Sequence, residues 1–342
     1  MAERLLDVKN LKVRFATEDG IVHAVDGVNF TLDRGEVLGI VGESGSGKSV
    51  TAMTILGLTR GTNTQYEGEI LYKGEDLIRQ SEGRLRSVRG AQIAMIFQDP
   101  MTSLNPVYKV GDQICEAIRA HDDVSGRTAR GRAVELLQQV GIPNPRQRVD
   151  DYPHQFSGGM RQRAMIAMAL SCNPDILIAD EPTTALDVTI QAQILELIDK
   201  LKDDFDSAVI MITHDLGVVA EVADQILVMY AGRVVEHGGK RDVFYDPQHP
   251  YTWGLLGSIP RLDRPKPKRL HSIQGSPASL INLPQGCKFR PRCPHAFEKC
   301  HEEPGLENRV EQKGHLDRCW LTVEEKKRLR VTTLAGEAVG AA

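Results

Sequence analysis

One segment constrains the fold more than any other: Gly42, Glu43, Ser44, Gly45, Ser46, Gly47, Lys48 and Ser49, which directly follow the strand-like run 37–41. A strand, a glycine-rich turn and a helix in this order form a phosphate-binding loop, because glycines let successive backbone N–H groups point inward at a phosphate. Lys48 adds a positive charge, and the Ser49 hydroxyl is a ligand for Mg²⁺. Residues 50–58 predict a helix whose N-terminus favours the same anion. The segment therefore predicts binding of a nucleoside triphosphate, the alternative being a glycine-rich turn with a chance Lys-Ser pair.

Composition and charge exclude several other classes of protein. With 342 residues, of which 41% are hydrophobic and 26% are charged, the chain is long enough for a full α/β domain and an appendage. Its formal net charge of -4 shows no basic bias, so we expect no nucleic-acid partner. No stretch approaches the roughly 18 uncharged apolar residues of a membrane span, and the first residues lack the apolar core of a signal peptide. These features predict a cytoplasmic protein.

The order of predicted strands and helices is typical of an α/β protein. Residues 5–40 alternate like the strands of an antiparallel layer, with separate short strands at 5–8, 11–15 and 28–32. After residue 160 strands and helices alternate as in a mostly parallel sheet. Between about 110 and 140 the apolar residues recur at helical spacing. Beyond residue 255 prolines replace the long apolar runs. The predicted division is a first domain at 1–254 with a helical subdomain at about 100–160, a small loop-rich C-terminal domain at 255–330, and a disordered tail at 331–342.

A short apolar strand at 176–179 ends in two acids, Asp180 and Glu181. If this strand lies beside the phosphate loop in a parallel sheet, Asp180 is placed to hold Mg²⁺, usually through water. Glu181 would then lie where a water attacks the γ-phosphate. The alternative is that the two acids cap a helix, because Pro182 and Thr183 follow them.

A second glycine motif stands just ahead of the acidic strand, with Ser157, Gly158 and Gly159 at the start of a predicted helix. With this order of motifs the chain resembles the ABC ATPase family, whose signature loop is Ser-Gly-Gly. The resemblance implies a P-loop ABC ATPase domain with a RecA-like parallel sheet core, an antiparallel β subdomain and a helical subdomain. It also assigns further residues: Gln98 in the Q-loop, Asp187 in the D-loop, His214 as the switch histidine, and Phe15 as the aromatic that stacks on adenine. The alternatives are a core role for Phe15 and a structural role for His214.

The resemblance further implies ATP hydrolysis at sites shared between two subunits. The loop 157–159 serves the nucleotide held by the opposite subunit, so a head-to-tail dimer encloses two ATP molecules. Within each site Glu181 polarises the water, His214 donates to the γ-phosphate, and Gln98 contacts Mg²⁺ and the water. Met160 departs from the family pattern, which most often has glutamine there. Methionine offers no amide to the ribose of the opposite nucleotide.

Two further segments resemble the ATPase subunits of dipeptide and oligopeptide importers. Residues 98–106 resemble their Q-loop continuation, and residues 249–252 match the start of their C-terminal extension. The resemblance implies a second homologous ATPase subunit, two transmembrane permease subunits and an extracytoplasmic peptide-binding protein as partners. We expect residues near 99–110 and the segment 110–150 to contact the permeases at the cytoplasmic face of the bacterial inner membrane.

Importers of nickel or glutathione belong to the same group and are the alternative substrate assignment. A soluble ABC ATPase of DNA repair or translation would have a long coiled-coil insertion or two cassettes in tandem, and the sequence has neither.

Four of the six cysteines crowd into the C-terminal region: Cys287, Cys293, Cys300 and Cys319. In a reducing cytoplasm such a group indicates metal or iron–sulfur ligation rather than disulfides. Spacing leaves both zinc and a [4Fe–4S] cluster open, although zinc usually uses tighter C-x₂₋₄-C pairs. The resemblance to the dipeptide importers implies a [4Fe–4S] cluster that stabilises a tail with little core, and a redox sensor is the alternative role.

Overall fold

Two β-sheets organise the chain, whose computed structural model describes residues 3–99, 103–184, 186–258 and 273–335. The strands are β1 (Arg4–Thr17), β2 (Gly20–Asp33), β3 (Val37–Val41), β4 (Thr64–Tyr72), β5 (Glu75–Asp76), β6 (Ile93–Ile96), β7 (Ile176–Asp180), β8 (Ala208–Thr213), β9 (Gln225–Tyr230), β10 (Arg233–Gly239), β11 (Glu307–Asn308) and β12 (Leu316–Asp317). The α-helices are α1 (Lys48–Ile55), α2 (Glu82–Val88), α3 (Val110–Arg119), α4 (Gly126–Gln139), α5 (Pro145–Arg148), α6 (Gly158–Ala169), α7 (Val188–Phe205), α8 (Leu216–Val222), α9 (Lys240–Tyr245), α10 (Pro250–Gly257) and α11 (Val323–Ala335). Part of the predicted Q-loop continuation, at 100–102, and Ala185 of the D-loop lie outside the described residues.

The smaller sheet is antiparallel, with the strand order β2-β1-β4-β5. The sequence predicts separate short strands over 5–8 and 11–15, but the structure contains both in β1. The pairing of β1 with β2 shifts register between Val8 and Leu11, and Asn10 takes a positive φ of 46°. A bulge therefore absorbs the turn-forming residue without ending the strand.

The larger sheet has eight strands in the order β11-β12-β10-β9-β3-β8-β7-β6. Its central strands β9, β3, β8, β7 and β6 are parallel. Every residue of β3 and β7 is buried, which is typical of parallel strands covered on both faces. The predicted α/β fold is confirmed. The carboxyl ends of β3, β6, β7 and β8 lie at one edge of this sheet, where the predicted site residues follow them.

The helical segment contains two main helices, α3 and α4, with a break at 120–125. Ser125 begins α4 by accepting a hydrogen bond from the Thr128 backbone N–H at 3.1 Å. The residues that predicted the segment by their spacing are buried: Ile114, Ile118, Ala133, Leu136, Leu137 and Val140. Across the described part of the chain, no helix has the length and apolar character needed to cross a bilayer.

The C-terminal region adds strands to the larger sheet, because β12 pairs with β10 and β11 pairs with β12. Two buried contacts accompany this pairing. Lys326 Nζ lies 2.7 Å from Asp317 Oδ1, and His315 Nε2 lies 2.8 Å from Glu236 Oε1. Helix α11 continues through residues 331–335, which differs from the predicted disordered tail beginning at 331, while 336–342 lie outside the described residues.

Candidate active site

The phosphate loop joins β3 to α1 in a shape that requires glycine at two positions. Gly42 has φ 155° and Gly47 has φ 101°, both in the region that side chains rarely adopt. A Cβ on Gly42 would lie 2.2 Å from the carbonyl oxygen of Met229, and one on Gly47 would lie 2.4 Å from that of Ala24. The loop is thus pressed against the backbones of β9 and β2.

Lys48, the first residue of α1, reaches back over this loop. Its Nζ donates to the carbonyl oxygens of Gly42 at 2.7 Å and Glu43 at 3.0 Å. Burial lowers the pKa of Lys48, and the carboxylates of Glu181 and Asp180 act against that shift. The ammonium group is therefore set among oxygen acceptors, which fits a role in binding phosphate oxygens.

The crest of the loop is open to solvent at Ser44 and Gly45. Ser46 behind the crest is buried, and its hydroxyl has no hydrogen-bond partner among the described residues. A buried hydroxyl without a partner near a lysine ammonium group fits an anion-binding site.

Ser49 and Asp180 meet where β3 and β7 end. Ser49 Oγ donates to Asp180 Oδ1 at 3.0 Å. Burial raises the pKa of Asp180, whereas the hydrogen bond from Ser49 acts in the opposite direction. A hydroxyl and a carboxylate oxygen side by side are ligands that Mg²⁺ favours. Asp180 is the last residue of β7 and the next helix is capped by Asp187, so the alternative of a helix cap at 180–181 is wrong.

Glu181 gathers side chains from the ends of two further strands. Gln98, which follows β6, donates to its Oε2 at 2.9 Å, and His214, which follows β8, places Nδ1 3.2 Å from its Oε1. Burial acts to raise the pKa of Glu181, but hydrogen bonds from Thr184 and His214, together with the charges of His214 and Lys48, hold the pKa below its usual value. The carboxylate therefore stays ionised, as a group that polarises water must be.

Thr184 is a residue that the sequence reasoning missed. Its hydroxyl donates to Glu181 Oε2 at 2.9 Å, across a turn in which Glu181 has φ 47°. The signal in the sequence is the spacing of a threonine three residues after a candidate base, which a turn brings into reach. The strained φ is typical of residues held for function.

The signature loop and the D-loop each provide the cap of a helix. Ser157 caps α6, with its Oγ accepting from the Met160 N–H at 3.3 Å. Gly158 has open space around it, whereas a Cβ on Gly159 would lie 3.1 Å from Cγ2 of Ile190. Asp187 caps α7 by accepting from the Ile190 N–H at 2.9 Å. Within the described chain these contacts lie inside α6 and α7 and between the two helices, so the binding of nucleotide by the signature loop and by Asp187 stays a prediction.

The predicted stacking of Phe15 on adenine and the predicted lack of a ribose contact at Met160 also stay predictions. Phe15 lies on β1 opposite Val22 and packs partly buried against the core of the antiparallel sheet. Met160 packs partly buried against the main core.

The four C-terminal cysteines line one small pocket together with Phe289 and Leu321. Burial raises the pKa of the Cys287 and Cys293 thiols, and that of Cys319 to about 12. No group of three or more histidine, cysteine or acidic side chains in the described residues is arranged to hold a metal ion. The four cysteines therefore share one pocket, but their sulfurs are not arranged around a single metal ion.

Comparisons with known proteins identify the family of the chain. The ABC transporter family model matches residues 25–184, and the model of the oligopeptide/dipeptide transporter C-terminal region matches residues 235–300. The oligopeptide transport ATP-binding protein OppD of Salmonella typhimurium is 54% identical over 324 residues, covering 95% of this chain and 96% of that protein. The chain belongs to the ABC transporter ATP-binding proteins of the oligopeptide/dipeptide group. As such an ABC ATPase it is the ATP-hydrolysing subunit of a transporter.

Further relatives support the same placement of this ABC ATPase. The dipeptide transport ATP-binding protein DppD of Bacillus subtilis is 53% identical over 338 residues, covering 98% of this chain and 99% of that protein. Among solved structures, the dimeric bacterial ABC transporter cassette MJ0796 aligns with TM-score 0.62 and 30% identity, covering 69% of this chain and 99% of that one. The cassette cbiO1 from Clostridium perfringens aligns with TM-score 0.60 and 29% identity, over 71% of this chain and 92% of that one. The predicted cassette fold is confirmed.

Proposed function

We propose that this ABC ATPase drives the import of dipeptides or oligopeptides, with the site residues acting as their positions suggest. The observation that carries the proposal is the meeting of Gln98 and His214 on the Glu181 carboxylate beside the Ser49–Asp180 pair. The phosphate-binding loop, the Ser49–Asp180 pair as a metal site and Glu181 as the candidate base lie together at one edge of the sheet. This is the set of groups that phosphoryl transfer to water requires.

The roles follow from the chemistry of each group. Lys48 binds phosphate oxygens, helped by the N–H groups and hydroxyls of the loop. Ser49 and Asp180 hold Mg²⁺, which when bound neutralises charge on the phosphates. Glu181 orients and polarises the attacking water, and His214 donates to the γ-phosphate.

The remaining contacts are supplied by a second subunit. Ser157 to Gly159 stand at the exposed N-terminus of α6, where a hydroxyl and backbone N–H groups can bind the γ-phosphate of a nucleotide in a facing subunit. ATP binding then closes a head-to-tail dimer, and hydrolysis opens it again. The dimeric cassette MJ0796 supports this assembly by analogy.

Transport requires further partners. We infer a homologous second ATPase, two transmembrane permease subunits, and an extracytoplasmic peptide-binding protein reached through the permeases, with this chain at the cytoplasmic face of the bacterial inner membrane. The names of the related OppD and DppD proteins support the peptide substrate. We also propose that residues 1–254 form the ATPase domain and residues 255–330 form the C-terminal extension that carries the four cysteines.

For the extension we propose a [4Fe–4S] cluster bound by Cys287, Cys293, Cys300 and Cys319. Four thiolates on one zinc ion, with Zn–S bonds of about 2.3 Å, would bring the sulfurs within about 4 Å of one another. No metal-ion group of that kind exists among the described residues, yet the four cysteines share one pocket. The proposal rests on the convergence of all four cysteines on this pocket. When bound, the cluster would join four loop segments of a region with little core of its own.

Peptide uptake by a deletion strain tests the proposed import. The strain is complemented with the wild type or with Glu181→Gln, and uptake of labelled dipeptides, oligopeptides, glutathione and nickel is measured. We expect deletion to abolish peptide uptake and only the wild type to restore it. Loss of nickel or glutathione uptake with unchanged peptide uptake would instead support the alternative substrates.

The cluster is tested on anaerobically purified protein. We expect about four iron and four acid-labile sulfide per chain, both lost in Cys300→Ser and retained in Cys172→Ser. Stoichiometric zinc without sulfide would refute the cluster.

A further inference from the structure

Glu43, the second residue of the phosphate loop, is held by the C-terminal region at two points. Arg292 makes a two-pronged contact with its carboxylate, with Nη1 2.5 Å from Oε2 and Nη2 3.0 Å from Oε1. The Glu43 backbone N–H donates to the hydroxyl of Tyr251 at 2.8 Å. These partners stand 249 and 208 positions later in the chain. The phosphate loop is therefore held in place by two residues, Arg292 and Tyr251, that lie outside the ATPase motifs.

Arg292 is itself rigidly placed. Its side chain is only 4% exposed. Its Nε donates to the carbonyl oxygen of Gln274 at 3.0 Å, and its guanidinium lies over the ring of Tyr230 at 5.7 Å. A planar guanidinium held in this way presents a fixed fork to a carboxylate, which the single ammonium group of a lysine does not reproduce.

Tyr251 is anchored by a buried group of three aromatic rings. Its ring centroid lies 4.8 Å from that of Tyr230 and 5.4 Å from that of Phe289, and the latter two lie 5.3 Å apart. Phe289 and Arg292 fall within the segment bounded by Cys287 and Cys293. One stretch of backbone thus carries two of the four cysteines and two of the groups that fasten the loop.

The same residue also holds the phosphate-binding lysine, because the Glu43 carbonyl oxygen accepts from Lys48 Nζ at 3.0 Å. The Glu43 N–H is already used by Tyr251, so it does not serve a phosphate. The Arg292 guanidinium neutralises a carboxylate that would otherwise stand unpaired beside a bound triphosphate.

We propose that Arg292 and Tyr251 are positioning residues for the phosphate loop, so that the C-terminal region sets the affinity of the chain for ATP. Tyr251 acts by holding the Glu43 backbone N–H, and Arg292 acts by pairing with the Glu43 carboxylate so that this carboxylate does not repel a bound triphosphate. The proposal rests on the proposed nucleotide site at Lys48. The new element is that the loop depends on the Arg292 guanidinium and the Tyr251 hydroxyl, both supplied by the C-terminal region.

Titration with a fluorescent ATP analogue, followed by competition with ATP, measures this dependence. We expect Arg292→Gln to weaken ATP binding about tenfold, because the Glu43 carboxylate then repels the triphosphate. The double variant with Glu43→Gln removes that carboxylate and should recover wild-type affinity to within about threefold. We expect about a threefold loss for Tyr251→Phe, which keeps the ring but not the hydroxyl.

Three further measurements separate positioning from general damage to the fold. Arg84→Gln breaks a more exposed two-pronged pair with Glu75 of the antiparallel sheet and should leave ATP affinity unchanged. Thermal unfolding and iron content of each variant report whether the fold and the cysteine pocket persist. Should Arg292→Gln fail to fold, Arg292→Lys replaces it, with about a threefold loss expected.

The outcomes are distinct. Wild-type affinity in the Arg292 and Tyr251 variants, while Lys48→Ala loses ATP, would overturn the positioning role alone. A double variant as weak as Arg292→Gln would also overturn it, since a purely structural role gives no recovery. Wild-type affinity in Lys48→Ala would refute the nucleotide site and this proposal together.

Discussion

The side-chain amide of Gln98 donates a 2.9 Å hydrogen bond to Glu181, which joins the segment after β6 directly to the end of β7. Gln98 is exposed and begins the segment that we expect to contact the permeases. Because the Gln98 amide donates a hydrogen bond to one oxygen of Glu181, a displacement of this segment changes the hydrogen bonding and position of the candidate base. This bond gives a short physical route between a permease contact and hydrolysis.

Replacing Glu181 with glutamine should separate ATP binding from hydrolysis. The amide keeps the size of the side chain and can hydrogen-bond, but it does not polarise water as a carboxylate does. We expect hydrolysis to fall at least about 100-fold while ATP affinity is kept, measured by phosphate release and by nucleotide retention. Thr184→Val is the matched control, with a loss below about tenfold. A Glu181→Gln protein that hydrolyses ATP at the wild-type rate would remove Glu181 from this role.

Replacing Ser49 with alanine should alter the need for Mg²⁺. The substitution removes the hydroxyl that lies 3.0 Å from Asp180, and with it one ligand of the proposed metal site. In a Mg²⁺ titration of hydrolysis we expect the half-maximal concentration to rise about tenfold. Ser49→Thr retains the hydroxyl and should restore the wild-type curve. An unchanged curve for Ser49→Ala would rule out Ser49 as a ligand.

Placing arginine at Ser157 should prevent the two subunits from closing on ATP. The position is exposed, so the variant should fold after losing about 1 kcal/mol of helix capping. We expect hydrolysis by the assembled transporter to be abolished. Ser81→Arg removes an equivalent cap at the exposed N-terminus of α2, outside the expected permease contact, and should hydrolyse ATP normally. Equal rates in the two variants would contradict the shared-site dimer.

His249 should make the stability of the protein depend on pH. Burial, with the charges of Lys326 and Arg318, lowers the pKa of His249 from 6.5 to about 3. The unfolded state therefore takes up a proton between these values that the folded state does not, so stability is full above pH 6.5 and falls as pH decreases. At pH 5.5 the loss from this group is about 1.4 kcal/mol.

The measurement compares the wild type with His249→Asn in chemical unfolding at pH 7.5 and 5.5. Asparagine does not titrate and can still accept the hydrogen bond that His249 Nδ1 receives from the Tyr251 N–H at 3.1 Å. The stability gap between the two proteins should narrow by about 1.4 kcal/mol at the lower pH. A gap that does not change with pH would show that His249 titrates normally in the folded protein.

Much of the candidate site could be predicted because its residues follow strands of one parallel sheet. Asp180, Glu181 and His214 each stand at the end of an apolar run, and the carboxyl ends of neighbouring parallel strands share an edge. Thr184 escaped prediction because its role depends on a turn with a positive φ at Glu181. The continuity of β1 was not predicted, because the residue pattern around Asn10 does not distinguish a bulge within one strand from a turn between two strands.

The sequence by itself determined the phosphate loop, since its glycines, Lys48 and Ser49 are contiguous and their geometry follows from local backbone freedom. Only the tertiary structure decided what fastens that loop. Glu43 and Arg292 are 249 positions apart, and nothing in either neighbourhood indicates the other. Their pairing depends on β12 joining β10 and on the packing of Tyr230, Tyr251 and Phe289. Contacts of that kind come from global packing, which local sequence patterns do not encode.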